Sequence, residues 1–351
     1  MKIAVYYKNS DIRIEDVDDI PVDAGEVKVR VMACGVCGSD VMEWYRIKKA
    51  GRPGGIGAFG HECTGVVTEI GSKVAKRVQI GDRVVVTHHV PCNTCNACIH
   101  GHTTACQTLQ STKFKNNYGA YAEHVVLPEI NVDRGILKLP DSVSFDEGTF
   151  VEPLGCVIRG QQWASPAGGK SVFIIGAGLS GLLHLQAARL NGAGFIAVSD
   201  VNPDRLKIAT KFGADATIVA TEDVPKRFKE LNGGWGADVV IMTAPVPACV
   251  KQSLETIGPG GTILFFAPTN PEINSEVNLW NLWQKEVTIT HSYAADFRNL
   301  QTALRWIQYK RVNVKDMITH VLPLGKTQEG FMLTAQPKDG SMKVIIHPQE
   351  F

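Results

Sequence analysis

The chain has 351 residues, a length suited to two domains rather than one core. Hydrophobic residues make up 44% and charged residues 20%, and the formal net charge is +1, so bulk charge offers no pull toward nucleic acid or an acidic membrane surface. No apolar run is long enough to span a bilayer, no secretory segment is expected after Met1, and the cysteine count is odd at 9, which together argue against a disulfide framework and favour a reducing cytoplasm.

From Met1 to about Pro140 the apolar runs are short and broken by turn residues: KIAVYY, EVKVRVMAC, CTGVVTEIG, GDRVVVTHH and AYAEHVVLP. Such spacing predicts a barrel-like β domain. Near Phe145 the pattern changes, and EGTFVEPLGCVIRGQQWA reads as helical. From Ser171 to about Tyr293 six apolar strands, SVFIIGA, FIAVSD, ATIVA, ADVVIMTA, GTILFFA and VTITHS, alternate with helical segments. That alternation predicts a doubly wound parallel sheet covered on both faces. Asp296 to Tyr309 reads as a further amphipathic helix. The closing MKVIIHP is a strand that a completed six-strand sheet has no place for, so it is expected to rejoin the first domain. The expected boundaries are 1–152 with 294–351 for one domain, and 153–293 for the other.

Four cysteines fall in one run, Cys92-x-x-Cys95-x-x-Cys98-x₇-Cys106. Four thiolates this close can surround one tetrahedral ion, and a closed Cys₄ set is a structural zinc site. An iron–sulfur cluster would close with a shorter gap and a following proline. The lobe, about residues 90–107, is therefore read as a structural zinc lobe.

Gly176-Ala-Gly178-Leu179-Ser180-Gly181 directly follows the strand SVFII and opens the helix SGLLHLQAARL. Strand before and helix after make this a dinucleotide turn: Gly176 for the bend, Gly178 for close approach of a pyrophosphate, Gly181 for packing of helix on strand. Asp200 ends the next strand, where a carboxylate accepts from ribose hydroxyls and repels a 2′-phosphate, which favours NAD over NADP. Arg205, one helical turn on, could pair with a phosphate or lie over the adenine face.

Cys37 stands in CGVCGSD after the strand EVKVRVMA, His61 and Glu62 in GHE, and Glu152 in VEPLGC. A catalytic zinc takes three protein ligands and an open position, so Cys37 and His61 are natural ligands and Glu62 or Glu152 can complete the set. With CGVCGSD, GHE, the four-cysteine lobe, GDRVVV, VEPLGC and GAGLSG in one chain, the sequence resembles the zinc-dependent medium-chain alcohol dehydrogenases over essentially its whole length. It is most similar to the branch holding sorbitol and other polyol dehydrogenases, threonine dehydrogenase and sugar-alcohol-phosphate dehydrogenases.

The resemblance implies a GroES-like β-barrel catalytic domain joined to a Rossmann domain, with two zinc ions per chain, one catalytic and one structural, and NAD. It implies hydride transfer between NAD and a secondary hydroxyl, in a cleft closing between the domains. The residue matching Glu152 would take the remaining ligand position, directly or through water, while that matching Glu62 lies behind the metal and can swing in. Asp40 would orient the histidine. Ser39 would bridge substrate oxygen to the nicotinamide ribose, and Lys343 matches a basic position near the pyrophosphate. The family often has a relay histidine where this chain has Met42, so Glu43 or a plain solvent path is expected to replace it.

The basic run Arg46, Lys48, Lys49 and Arg52 reads first as a solvated face, and second as a binder of an anionic substrate. Cys34, Cys63, Cys156 and Cys249 read as small buried residues, and the His88–His89 pair as pocket lining or surface. A threonine or simple secondary-alcohol dehydrogenase is the alternative within the family. A non-catalytic NAD-binding protein would be expected to lack zinc ligands, and none is missing. The expected partner is a small hydroxyl or ketone substrate, with no nucleic acid and no membrane, in a homodimer or homotetramer joined through VTITHS.

Overall fold

β-branched and aliphatic runs bounded by glycine and proline form the strands of the first part of the chain, as their composition demands. A computed structural model describes residues 1–50, 59–74, 77–338 and 340–350, with the side chains of 47–50 and 117 left out, so Arg52 and the side chains of Lys48 and Lys49 in the basic run lie outside what is described. Backbone contacts divide the chain into one unit of Met1–Gly155 with Ala294–Phe351, and a second of Cys156–Tyr293.

In the first unit β1 (Lys2–Lys8) and β2 (Asp11–Asp16) form an antiparallel pair. β3 (Val27–Gly35) is the spine of the larger sheet, with β4 (Glu62–Ile70) paired along its whole length from Val27↔Ile70 to Gly35↔Glu62. β5 (Arg83–Val86) continues outward from β4. The other edge of β3 is shared: β6 (His124–Leu127) pairs with Val27–Arg30. β7 (Ile136–Lys138) lies beyond β5. Val27, Val29 and Val31 are fully buried in a core with Phe59, Tyr121 and Phe331. Each such side chain contributes about 1.5–3 kcal/mol by leaving water.

The second unit holds β8 (Ser171–Ile175), β9 (Phe195–Asp200), β10 (Ala216–Val219), β11 (Ala237–Met242), β12 (Ile257–Phe265) and β13 (Thr288–His291). All are parallel, in the order β10-β9-β8-β11-β12-β13, so the six expected strands and the doubly wound sheet are present. Strand order reverses between β8 and β11, the switch point at which such sheets bind ligands. Every residue of β8 is buried, as a central parallel strand requires.

After the second unit the chain rejoins the first. β14 (Ile318–Pro323) runs parallel to β15 (Lys343–His347), and β15 pairs antiparallel with the end of β3 through Ile345↔Gly35 and Ile346↔Cys34. The mixed α/β architecture of a GroES-like barrel unit and a Rossmann unit thus follows from the runs read in the sequence.

Candidate active site and structural metal centre

Cys95 precedes the short helix Asn96–Ile99, Cys98 lies inside it, and Cys106 separates the turn Thr103–Ala105 from the helix Gln107–Ser111. Asn93 takes a left-handed conformation (φ 63°) that folds the first two cysteines back on each other. The four sulfurs all lie within 4.8 Å of one another, over buried Leu109. Thr94 and Cys95 donate backbone N–H groups to Cys92 Sγ at 3.4 and 3.3 Å, and Cys92 N–H donates to Cys106 Sγ at 3.4 Å. The Thr94 side chain and these N–H groups push the Cys92 thiol down to about 5. Cys98, buried against Cys95 and Cys106, is pushed up to about 12, so full ionisation of the set calls for a cation at its centre. The cluster suits a structural zinc. His100 plays no part in it, its Nδ1 facing Asn96 O at 2.8 Å.

The register Gly35↔Glu62 sets the second cluster, because it brings the turn after β3 against the residues that open β4. Ligand atoms of Cys37, His61 and Glu62 lie within 4.8 Å of one another. Glu62 is 1% exposed, yet among the described residues its Oε1 has no hydrogen-bond partner. A buried carboxylate oxygen left unpaired costs about 1–3 kcal/mol or more, and a cation held with Cys37 and His61 would satisfy this one. The other oxygen accepts from Lys343 Nζ. Gly35 makes room for that pair, since a Cβ there would stand 2.3 Å from Glu62 Oε2 and 2.6 Å from Lys343 Nζ.

Asp40 is fully buried behind this cluster. Its Oδ1 accepts from Arg46 Nη2 at 2.7 Å and from Gly60 N–H at 3.4 Å, and its Oδ2 from Cys37 N–H at 3.1 Å and the Tyr121 hydroxyl at 2.9 Å. Burial alone would push this carboxyl up, but the charges of Arg46 and His61 hold it well below the usual carboxylate range. His61 Nδ1 faces Asp40 Oδ1 at 3.6 Å, which leaves Nε2 as the nitrogen for a cation. Burial works against the imidazolium, but Asp40, and then Cys37, hold His61 well above its ordinary value. Ser39 touches the same cluster, its hydroxyl donating to Cys37 Sγ at 3.4 Å.

Two expectations are corrected here, those for Lys343 and Arg46. Lys343 is 0% exposed, its amine held by Glu62, by Val36 O at 3.4 Å and over the Phe150 ring at 5.5 Å. A charge so enclosed has no face left for a pyrophosphate. Arg46 is no solvated residue either, at 8% exposed with its guanidinium on Asp40. Glu43 is exposed and accepts from Asn9 N–H at 3.0 Å, and among the described residues no hydrogen bond joins it to Ser39. Glu152, in the helix Val151–Ala164, is not in the group of ligand atoms within 4.8 Å, which among the described residues is Cys37, His61 and Glu62. The fully buried Tyr121 was invisible to sequence reasoning, whereas His88, read there as pocket lining or surface, has its ring centroid 5.5 Å from that of His61. Cys34 and Cys63 are buried thiols pushed up by burial, as expected of core residues.

In the second unit the glycine turn joins β8 to the helix Leu179–Leu190, with Gly178 as its N-cap and Leu179 and Ser180 as its first residues. Gly176 has φ 103°, and the Thr243 hydroxyl locks the bend by donating to Ile175 O at 2.8 Å. A Cβ on Gly181 would stand 1.8 Å from Gly176 O, whereas one on Gly178 would meet only the Arg205 guanidinium at 3.8 Å. Gly178 therefore borders an open cradle at a helix N-terminus, the place for a pyrophosphate. Asp200 Oδ2 accepts from Ala177 N–H at 2.7 Å and Oδ1 from Asn202 N–H at 2.8 Å, which fixes the carboxylate and leaves each oxygen a lone pair for a ribose hydroxyl.

Residues 23–141 match the family described as alcohol dehydrogenase GroES-like domain, and residues 181–309 that described as zinc-binding dehydrogenase. Sorbitol dehydrogenase of Bacillus subtilis is 30% identical over 99% of this chain and 97% of its own length. A probable D-xylulose reductase A of Neosartorya fischeri is 32% identical over 88% of this chain and 86% of its own. Among solved structures, an Escherichia coli oxidoreductase/dehydrogenase of unknown specificity involved in membrane biogenesis superposes with a TM-score of 0.88 at 32% identity, covering 99% of this chain and 98% of that one. A putative zinc-binding dehydrogenase from Sinorhizobium meliloti bound to NADP gives 0.87 at 26% identity, with 99% of both chains covered. With both clusters and the nucleotide turn in place, the chain belongs to the zinc-dependent medium-chain alcohol and polyol dehydrogenases, a family of oxidoreductases.

Proposed function

We propose that this protein oxidises a secondary hydroxyl of a polyol, cyclitol or sugar alcohol with NAD, using one zinc ion for chemistry and a second for shape. The observation that carries the reading is the Cys37–His61–Glu62 group, in which Glu62 Oε1 has no partner among the described residues. Relatives named for sorbitol and D-xylulose support the polyol class.

The catalytic zinc, when bound, supplies Lewis acidity that makes the substrate hydroxyl easier to deprotonate. The protein's own residues do the rest. Cys37 and His61 hold the ion, with Glu62 behind and Glu152 as a further carboxylate on the same unit. Asp40 keeps His61 in one tautomer and orientation. The Ser39 hydroxyl, beside Cys37, accepts the substrate proton and passes it to solvent. The glycine turn from Gly176 to Gly181, with Leu179 and Ser180 in the first helical turn, holds the pyrophosphate, and Asp200 holds the adenosine ribose. Its negative charge repels a 2′-phosphate, so NAD is preferred to NADP.

Cys92, Cys95, Cys98 and Cys106 hold the structural ion. A cytoplasmic setting is supported by nine cysteines with no disulfide among them. A homo-oligomer is supported by the open edge of β13, beside which Leu279, Trp280 and Trp283 stand 74%, 63% and 71% exposed. Among the described residues no helix is long and apolar enough to cross a membrane.

The test is NAD reduction by zinc-loaded protein across polyols, cyclitols, sugar-alcohol phosphates, threonine and simple secondary alcohols, with NADP in parallel. Turnover of neutral polyols with NAD is expected. Turnover confined to threonine, to simple alcohols or to NADP would overturn the substrate or cofactor assignment. Metal analysis giving one zinc per chain would remove the catalytic ion.

A further inference from the structure

The guanidinium of Arg46 reaches both residues that flank the Cys37 ligand turn. Its Nε donates to Ser39 O at 3.0 Å, and its Nη2 lies 2.7 Å from Asp40 Oδ1 and 3.5 Å from Ser39 Oγ. The side chain is 8% exposed and rises from the helix Glu43–Ala50, whose first turn is tied to the ligand loop by Arg46 N–H donating to Met42 O at 2.9 Å. We propose that Arg46 is a positioning residue of the metal site, one planar fork that fixes the Ser39 hydroxyl and the Asp40 carboxylate relative to each other, and through Asp40 fixes His61. The proposal rests on the reading of Cys37 and His61 as ligands of a catalytic ion.

The chemistry of the fork makes the case. Asp40 has no exposed surface, and a buried carboxylate stripped of its cation is costly to keep. A lysine could satisfy that charge, but its ammonium is a single point on a flexible stem. It could not also hold the Ser39 carbonyl from a second, rigidly spaced N–H. Arg46 therefore couples two tasks that a point charge would separate: orienting the histidine ligand, and setting where the proton-carrying hydroxyl stands. Groups that orient metal ligands from behind change metal affinity or activity by about 10–100-fold when lost.

Full-length protein is compared as wild type, Arg46→Lys and Arg46→Met. Release of bound zinc to a chromogenic chelator, the visible absorption of the cobalt(II)-substituted protein, and sorbitol oxidation with NAD are measured. Arg46→Met is expected to release one of the two ions about 10–100-fold faster, with the other unchanged and the cobalt band shifted. Arg46→Lys should fall between wild type and Arg46→Met in release, while its kcat stays low at a KM close to that of wild type. In a Ser39→Ala background Arg46→Lys should lower kcat no further, because both changes act on the same hydroxyl. Wild-type release rates and cobalt band in Arg46→Met would overturn the proposal, and so would equal acceleration of both ions. Should Arg46→Met not fold, Arg46→Lys decides alone: faster release of one ion supports the proposal, and wild-type release with wild-type kcat overturns it. If the wild type leaves sorbitol and the other polyols of the panel untouched, the polyol reading fails while the release and cobalt measurements still decide Arg46.

Discussion

Replacing Lys343 by methionine probes the inner wall of the metal site. Lysine and methionine have similar length, so the change removes the charge and little volume. Lys343 and Glu62 are both 0% exposed in their side chains, and among the described residues Glu62 Oε1 already lacks a partner. Without the amine the carboxylate is buried with neither oxygen paired among the described residues. Removing one member of a buried ion pair costs about 3–5 kcal/mol. At about 2–4 °C per kcal/mol for a domain of roughly 150–250 residues, the chelator-stripped variant should melt about 6–20 °C below stripped wild type. Zinc should narrow the gap, because the freed carboxylate then finds a cation in the Cys37–His61 group. Calorimetric melting of both proteins, stripped and reloaded, measures the two differences. The double variant Lys343→Met with Glu62→Met should recover most of the stripped loss, since the pair is exchanged for apolar contacts. A gap that zinc leaves unchanged, or one under about 2 °C, would refute the reasoning.

The glycine turn gives a paired prediction: Gly181→Ala, whose Cβ would stand 1.8 Å from Gly176 O, should cost about 1–3 kcal/mol in urea unfolding. Gly178→Ala, which meets only Arg205 at 3.8 Å, should unfold within about 0.5 kcal/mol of wild type while losing NADH affinity in a fluorescence titration. Wild-type NADH affinity in Gly178→Ala would place the pyrophosphate elsewhere. Burial pushes His184 down from 6.5 to about 3, so below pH 6.5 the unfolded chain takes a proton that the native chain refuses. Stability should fall by about 2 kcal/mol between pH 6.5 and 5 through this residue, and His184→Leu should flatten that part of the urea-midpoint profile. The bond with Asp146 raises His347 above its ordinary value, so its contribution is full below pH 6.5 and is lost as pH rises through the elevated native value. His347→Gln should remove that alkaline decline in thermal melts, and an unchanged profile would mean the Asp146 contact adds nothing.

What could be read without coordinates was whatever depends on short stretches of chain. The six strands of the second unit are uninterrupted apolar runs of the right length, and Gly176, Gly178 and Gly181 are spaced by the geometry of one turn. Cys92 to Cys106 lie close enough in sequence that their meeting needs no long-range information. What could not be read depends on strand register and on pairs far apart. Arg46 sits among basic residues, and only the fold around Asp40 and Tyr121 turns it inward. Its one sequence signal is its place six residues after Asp40, within reach of a returning helix. Lys343 was assigned from resemblance, but β15 lies against the end of β3 and delivers its amine to Glu62 instead. The nearness of Glu62 to Cys37 and His61 is likewise a matter of register, since Glu62 pairs with Gly35 at the mouth of the ligand turn.

The place of β15 also bears on the order in which the protein is made. Lys343 and Glu62 are separated by 281 positions, with the whole second unit emerging between them. Closing so long a loop delays the contact in any folding route. During synthesis the nucleotide-binding unit is therefore complete while the sheet that carries Cys37 and His61 still lacks its last strand. A metal ion meeting the nascent chain finds Glu62 without its lysine. The chain thus presents its most acidic version of the site first, and the late arrival of β15 sets the final charge.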